Sequence, residues 1–96
     1  MSRKAILIIY NIILGGQIED MIKKCDIDEF TIFNNVIGKG TKGGARFNND
    51  VYPGMNNALF IVLDKKDRLE KFRNSVDELR KKYKKDGITY FLLPVE

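Results

Sequence analysis

Residues 5–10 read AILIIY, an unbroken apolar run rich in isoleucine. Residues 58–63 read ALFIVL, a second run of the same length and character. Short runs of this kind, rich in β-branched and aromatic side chains, are typical of strands that are buried on both faces. We therefore predict that these two runs form the central strands of a β-sheet.

Two further segments carry apolar side chains at the three- and four-residue spacing of an amphipathic helix. The first stripe consists of Ile18, Met21, Ile22 and Cys25, and the second of Leu69, Phe72, Val76, Leu79 and Tyr83. We predict that the second helix begins near Asp64, which would act as its N-cap, and that Asp86 and Gly87 end it.

Two outer strands complete the pattern. Residues 30–37 form one, interrupted by Asn34 and Asn35, as an edge strand or a bulge would be. Residues 88–93 form the other, which is closed by Pro94. The order β-α-β-β-α-β predicts an α+β fold, a ferredoxin-like sandwich with an antiparallel four-stranded sheet and two helices on one face. We expect one domain over residues 1–96, an ordinary length for a domain with one core.

The central strands also predict self-association. Both carry apolar residues at odd and even positions, whereas a sheet with one face in water alternates between apolar and polar. The helices cover one face only, and a bare apolar face of this size is an association site. We therefore expect the second face to be buried against other subunits.

The residue inventory argues against catalysis. The chain contains no histidine, which excludes Ser-His and Cys-His nucleophilic pairs. Its single cysteine, Cys25, lies on an apolar helix stripe and is expected to be a small core residue. The acidic residues cluster near helix ends and form no evident metal site. We predict that the protein is not an enzyme.

The location and partners follow from the same inventory. No apolar run approaches the roughly 20 residues of a membrane span, and no signal-peptide pattern is visible, so we expect a cytoplasmic protein without membrane insertion. The net charge of +4 owes much to residues 80–85, RKKYKK. Since only one aromatic residue is interleaved there, we do not expect nucleic acid as a partner.

The segment 38–54 is the strongest functional candidate. Glycines let backbone N–H groups converge on an anion, and basic side chains add positive charge. The candidate ligand-binding residues here are Gly38, Lys39, Gly40, Lys42 and Arg46. The alternative is that this segment is a mobile connector.

Three more residues complete the predicted site. Asn56, together with its neighbour Asn57, could orient a ligand through its amide, or the pair could cap the turn into the strand, since Asn readily bonds its local backbone. Lys84 and Lys85 could contact phosphates as point charges. They could equally be a solvated helix end that complements the helix dipole.

Three motifs carry a resemblance to a known family. Residues 90–96, YFLLPVE, resemble the Phe-Val-Leu-Pro-Val-Glu ending of the PII nitrogen-regulatory signalling proteins. Residues 36–40, VIGKG, match the Gly-x-Gly at the base of that family's long T-loop. Residues 52–57, YPGMNN, look like an aromatic-Pro-Gly-x-Asn-Asn stretch of the short PII-like branch of unknown function. The whole chain resembles this branch.

The resemblance implies a homotrimer with its sheets facing inward and ligand clefts between subunits. In the family these clefts commonly bind adenine nucleotides such as ATP or ADP, and the T-loop, here residues 38–54, reports occupancy to a partner protein, often a transporter or an enzyme. One feature departs from the pattern. ATP-binding PII proteins carry a Thr-Gly-x-x-Gly-Asp-Gly-Lys phosphate loop, whereas residues 82–89 read KYKKDGIT, and the phosphate-binding Lys position falls on Thr89.

Two functional hypotheses remain open. The first is a PII-like regulatory protein that senses a small anionic metabolite, an adenine nucleotide above all, and signals through its long loop. The second is a protein-interaction module on the same trimeric fold that needs no ligand. The lost phosphate loop favours the second.

Overall fold

The computed structural model of the protein describes residues 3–37 and 55–96. It contains the predicted elements in the predicted order, together with a short 3-10 helix at Ile12–Leu14. The elements are β1 (Lys4–Asn11), α1 (Gly15–Lys24), β2 (Thr31–Val36), β3 (Asn56–Leu63), α2 (Lys66–Lys82) and β4 (Ile88–Pro94). The segment 38–54, with the predicted site residues Gly38, Lys39, Gly40, Lys42 and Arg46, lies outside the described residues.

The four strands form one sheet in the order β2-β3-β1-β4, with every neighbouring pair antiparallel. This is the ferredoxin-like topology, and it confirms that the two unbroken apolar runs are the central strands. The side chains of a strand alternate between the two faces. Each central strand therefore presents one set of residues to the helices and one set to the opposite side.

The core lies between the sheet and the helices. It includes Ile6, Ile8 and Tyr10 from β1, Leu59 and Ile61 from β3, Ile18, Met21 and Ile22 from α1, and Leu69, Phe72 and Val76 from α2. The two predicted helix stripes are confirmed, and Cys25 is buried among them. Each of the larger side chains contributes on the order of 1.5–3 kcal/mol through burial, an upper estimate because unfolded chains already bury some surface.

The start of α2 differs from the prediction. Asp64 is not the N-cap, because the helix begins at Lys66 and Lys65 occupies the cap position without a side-chain hydrogen bond. Lys65 has extended backbone angles, φ −114° and ψ 128°, so the extended chain that follows β3 continues past Asp64. Inside the first turn, the Asp67 carboxylate accepts a hydrogen bond from the N–H of Arg68 at 3.0 Å.

The end of α2 agrees with the prediction. The helix ends at Lys82, and a turn closed by the bond from the Asp86 N–H to the Tyr83 carbonyl follows it. Gly87 comes next with a φ of 70°, a region that glycine enters without the steric cost of a Cβ. β4 then extends one residue beyond expectation and includes Pro94, which an edge strand tolerates.

β2 is the other edge strand, and it is irregular. Its pairing with β3 shifts between Phe33 and Val36, and Asn35 within this interval has a φ of 56°. Asparagine tolerates the left-handed region better than most residues do. The predicted interruption of this strand by an asparagine pair is therefore confirmed as a bulge at a sheet edge.

Candidate ligand-binding end of the sheet

The predicted site residues that the structure describes, Asn56, Lys84 and Lys85, lie at one end of the sheet without forming one pocket. Tyr10, near the end of β1, pairs with Asn57 of β3 and with Ile88 of β4. Val36, the last residue of β2, pairs at the same level with β3. Both attachment points of the segment 38–54 therefore belong to this end, which we call the loop end.

The Asn57 side chain links neighbouring strands at the loop end through hydrogen bonds. The side-chain oxygen of Asn57 accepts a hydrogen bond from the backbone N–H of Asn35 at 3.1 Å. The Asn57 side chain also bonds the hydroxyl of Tyr10. Tyr10 is only 2% exposed, and this burial is the largest cause of its raised pKa. The Asn57 bond lowers that pKa and the charge of Glu19 raises it, both by less.

Asn56 begins β3 and is buried, with 5% of its surface exposed. It lies opposite Asn11 of β1 and Val36 of β2, on the sheet face that the helices do not cover. The Asn11 side chain accepts a hydrogen bond from the Ile13 N–H at 3.0 Å and thereby caps the 3-10 helix. A ligand role for Asn56 stays a prediction, and such a ligand would have to reach the sheet itself.

Lys84 and Lys85 are exposed in the turn between α2 and β4. Lys84 lines a cleft of about 400 Å³, whereas Lys85 is not part of its lining. The remaining lining residues are Asp77, Arg80, Lys81, Tyr83, Gly87 and Ile88. Three of the side chains that line the cleft are cationic, namely Arg80, Lys81 and Lys84.

Asp77 is the acidic group in the described lining of this cleft, and other side chains already engage it. Its carboxylate accepts a hydrogen bond from the Tyr90 hydroxyl at 3.3 Å and lies 3.9 Å from the Arg80 guanidinium. The same guanidinium sits 5.5 Å from the centre of the Tyr90 ring. A helix C-terminus carries partial negative charge, so any attraction of an anion here must come from the side chains.

The predicted residues do not form one pocket within a single chain. Asn56 and the turn that carries Lys84 lie at the same end of the sheet, but β1 separates β3 from β4. Two strand spacings amount to roughly 10 Å. A ligand that touches both would have to bridge β1 or approach from outside the chain.

A larger cleft, of about 550 Å³, opens at the opposite end of the sheet. Its charged lining includes Arg3, Lys65 and Arg68 against Asp28, Glu29 and Asp64. None of the predicted site residues is part of it. Among residues 3–37 and 55–96, no three His, Cys, Asp or Glu side chains lie close enough together to hold a metal ion.

The sheet face away from the helices is apolar and open. Its exposed members are Phe33 (51%), Phe91 (49%), Leu93 (43%) and Val62 (38%). The register places Phe91 and Phe60 on either side of Leu7, so a continuous apolar row crosses this face.

Within the described ranges, neither helix is long and apolar enough to cross a membrane.

Comparison with known proteins gives a result at the level of structure. Neither the protein-family models nor the curated protein sequences contain a match to this chain. Among solved structures, CPII from Thiomonas intermedia K12, a nitrogen regulatory PII-like protein bound there to ADP and bicarbonate, superposes with a TM-score of 0.73. The match covers 97% of this chain and 85% of CPII at 13% identity. The chain has the PII-like fold.

Other PII-like structures agree. The PII protein of Arabidopsis thaliana, bound to citrate, superposes with a TM-score of 0.68 at 19% identity, covering 99% of this chain and 78% of its own. A DUF3240 family protein from Shewanella baltica OS155 reaches 0.65 at 14% identity, covering 99% and 91%. The fold that the three sequence motifs implied is therefore confirmed.

Sequence reasoning missed the polar groups that organise this PII-like sheet. The Tyr10–Asn57–Asn35 group joins three strands, and the Tyr90–Asp77 bond joins β4 to α2. The sequence contained one signal for the Tyr10–Asn57–Asn35 group, because an asparagine within an apolar strand run needs a hydrogen-bonding partner. No local sequence pattern indicates which residue that partner is.

Proposed function

We propose that this chain is a PII-like regulatory protein that assembles as a homotrimer and senses a small anionic metabolite between its subunits. The favoured ligand is an adenine nucleotide such as ATP or ADP. Binding would be reported through the segment 38–54 to a target protein such as a transporter or a metabolic enzyme. On this proposal the protein is cytoplasmic and has no catalytic role.

The observation that carries the proposal is the shared fold with CPII, which was solved with ADP and bicarbonate and also with ADP and AMP. At 13–14% identity this likeness supports the fold, and the ligand is our inference for this chain. The basic cleft beside Lys84 supports an anionic ligand, because its described acid, Asp77, is already hydrogen bonded.

The open apolar face supports the assembly. Apolar side chains on this face, including Phe33 and Phe91, are about half exposed and would leave a large apolar patch in water. Packing three such faces together would remove this patch from solvent. A domain of this length also buries a smaller share of its surface than a larger one, so association would add stability.

Calorimetric titration with ATP, ADP, AMP and cyclic di-AMP tests the ligand. We expect saturable binding at about one ligand per subunit for at least one nucleotide. The absence of heat at concentrations up to about 1 mM would place the binding free energy weaker than about −4 kcal/mol and contradict the sensor proposal.

The second candidate is a ligand-independent interaction module on the same fold. The observation in its favour is residues 82–89, KYKKDGIT, which lack the Thr-Gly opening and the final Lys of the phosphate loop. Limited proteolysis of the segment 38–54 separates the two. Protection by a nucleotide supports sensing, whereas equal cleavage with and without nucleotides supports the module.

A further inference from the structure

We propose that the cleft of about 550 Å³ at the end of the sheet opposite the loop end binds a small zwitterion of the amino-acid class, with a carboxylate at one end and an ammonium group at the other. We call it the charged cleft. Asn56, Lys84 and Lys85, the described residues of the predicted nucleotide site, are not part of its lining. The site would therefore be separate from the nucleotide site and would take a second class of ligand.

Three separate parts of the chain build the charged cleft. β3 lies between β2 and β1 in the sheet, so the chain that leaves β3 at residues 64–65 lies in the middle of this end. Arg3 lies on the β1 side, immediately before the residue that pairs with the last position of β3. Asp28 and Glu29 lie on the other side, in the connection that leads into β2. Since two strand spacings amount to roughly 10 Å, one small molecule could reach from the acidic side to the cationic side.

The two arginines of the lining are held by main-chain oxygens. The Arg68 guanidinium donates a hydrogen bond to the Asp26 carbonyl at 3.0 Å, which ties the first turn of α2 to the turn after α1. The Arg3 guanidinium donates to a main-chain oxygen of Glu96 at 2.8 Å. A guanidinium has five N–H donors, so one bond of this kind orients the group and leaves donors for a carboxylate. The two cations are therefore partly ordered before a ligand arrives, which lowers the entropy cost of binding.

The cations and acids of the lining do not neutralise one another. In the described part of the chain, the one ion pair is between Asp77 and Arg80, which lie outside the charged cleft. The charged side chains of the cleft therefore remain available to a ligand.

The balance of these charges decides the class of ligand. The lining contains three cations and three acids, so its formal charge is zero. The cations attract a simple anion but the acids repel it, and a simple cation meets the reverse. A molecule that carries both charges satisfies both sides of the cleft. Its methylene chain would lie over Ile27 and Leu63, the two core residues in the lining.

The carboxylate of such a ligand would face the beginning of α2. Lys65 occupies the N-cap position of this helix and makes no side-chain cap hydrogen bond. The first N–H groups of a helix carry partial positive charge, which adds to the charges of Lys65 and Arg68. The ammonium group would then face Asp28 and Glu29, which are exposed.

An NMR titration of the isotope-labelled full chain tests the site, with 6-aminohexanoate as the probe. The charged ends of this probe are separated by a flexible chain of methylene groups, as the two sides of the cleft require. We expect saturable shifts of the amide signals of residues 27–29 and 64–68 and unchanged signals for residues 82–89. Hexanoate and hexylamine each lack one charged end, so they should bind at least about tenfold more weakly.

Reversal of the acidic side gives a readout that a purely structural role would not change. We expect Asp28→Lys/Glu29→Lys to weaken 6-aminohexanoate binding by about tenfold or more. The same variant should gain affinity for hexanedioate, in which a second carboxylate replaces the ammonium group. Glu70→Lys/Glu78→Lys makes the same charge change at exposed α2 positions outside the cleft and should leave the affinity for 6-aminohexanoate within about twofold.

Lys65→Gln tests the cationic side. We expect it to weaken 6-aminohexanoate binding by about threefold or more, because it removes a charge that faces the carboxylate. Lys71→Gln, an exposed α2 position outside the cleft, is the matched control and should leave the affinity within about twofold.

Several results would overturn the zwitterion site. They are the absence of saturable shifts with 6-aminohexanoate up to about 10 mM, equal affinity for hexanoate, and shifts confined to residues 82–89. Competition by ADP would place the probe at the loop end and would overturn it as well, whereas a failure of ADP to bind concerns only the proposed function. The dispersion of the amide spectrum shows whether each variant is folded, and a change of preference to hexanedioate requires a folded cleft.

Discussion

The side-chain oxygen of Asn57 lies 3.1 Å from the backbone nitrogen of Asn35 and accepts its hydrogen bond. This bond joins the start of β3 to the bulge of β2, immediately before the chain enters the segment 38–54. Asn35 has a φ of 56°, so the bond helps to stabilise a backbone conformation that would otherwise be unfavourable. The bulge and the asparagine that supports it are separated by 22 residues in the sequence.

Replacement of Asn57 tests this support. We expect Asn57→Ala to lower the free energy of unfolding by about 1–2 kcal/mol, because it removes the acceptor of the Asn35 N–H and the partner of the Tyr10 hydroxyl. Asn57→Asp keeps an acceptor and should lose less. Urea unfolding at a fixed protein concentration measures the change. The control is Asn34→Ala on the same strand, which is exposed and should stay within about 0.5 kcal/mol. Equal effects of the Asn57 and Asn34 variants would contradict the role.

The buried hydroxyl of Tyr10 predicts a loss of stability in alkali. Burial raises its pKa above the ordinary value of 10.0, so the unfolded chain releases this proton at a lower pH than the folded chain does. The contribution of the protonated Tyr10 hydroxyl to the free energy of unfolding is therefore fully present below about pH 10. It is lost as the pH rises above that value, by up to about 1.4 kcal/mol per pH unit.

Tyr10→Phe should remove this part of the pH dependence. We expect the difference in free energy of unfolding between Tyr10→Phe and the wild type to be constant up to about pH 9.5, and the wild type to lose stability relative to the variant at higher pH. Parallel curves from pH 8 to 11 would mean that Tyr10 does not titrate differently in the two states.

The turn after α2 predicts a contrast between two glycines. Gly87 has a φ of 70°, so Gly87→Ala should cost about 1–2 kcal/mol through backbone strain. Gly16 lies in α1 with open space where a Cβ would be, so Gly16→Ala should stabilise by about 0.5–1 kcal/mol. Thermal unfolding of both variants gives the comparison, and a stabilising Gly87→Ala would contradict the assigned turn.

The open apolar sheet face predicts that a charge placed on it weakens assembly. Val62 lies on the central strand β3 and is 38% exposed on this face. We expect Val62→Glu to raise the concentration needed for assembly by about tenfold or more, because a carboxylate would be buried without a partner. Ile13→Glu is the matched control, since Ile13 is 62% exposed but lies in the 3-10 helix. Equal sedimentation of the two variants would exclude this face as a contact.

The proposed nucleotide site predicts a dependence on Lys84 and Lys85. We expect the double variant Lys84→Ala/Lys85→Ala to weaken ADP binding by about tenfold or more, because a hydrogen bond to a charged group contributes about 1.5–3 kcal/mol. Lys65→Ala/Lys66→Ala removes the same charge from an exposed pair at the other end of the sheet and should leave the affinity within about twofold. Titration calorimetry measures both, and equal losses would indicate a general charge effect.

The local sequence pattern was sufficient to predict the helices and strands, but it did not predict where some of them begin or end. The spacing of Leu69, Phe72 and Val76 placed α2 correctly, because the period of a helix is a property of neighbouring residues. The choice of Asp64 as its cap was wrong, since the extended backbone at Lys65 delays the helix. Element ends depend on the tertiary contacts of a single residue, and these are not visible in a periodicity.

The candidate site was predictable only in part for the same reason. Lys84 could be picked out as a cation in a turn, but its place beside Arg80 and Tyr83 in a basic cleft depends on how α2 meets β4. Asn56 and Asn57 were both marked for their amides, but the sequence did not indicate that Asn57 accepts a hydrogen bond from the distant Asn35 N–H. Adjacent residues of a strand point to opposite faces, and a sequence does not state which face has the partner.

The sequence alone determined the order of the elements, the two central strands and the apolar character of both sheet faces. These features follow from the identities of residues close together in the chain, through hydrophobic periodicity. Only the tertiary structure decided that Asn57 supports the bulge at Asn35 and that Phe91, Leu7 and Phe60 lie in one row on the open sheet face. Those relationships depend on strand register and helix placement, which are set by the packing of distant segments around a common core.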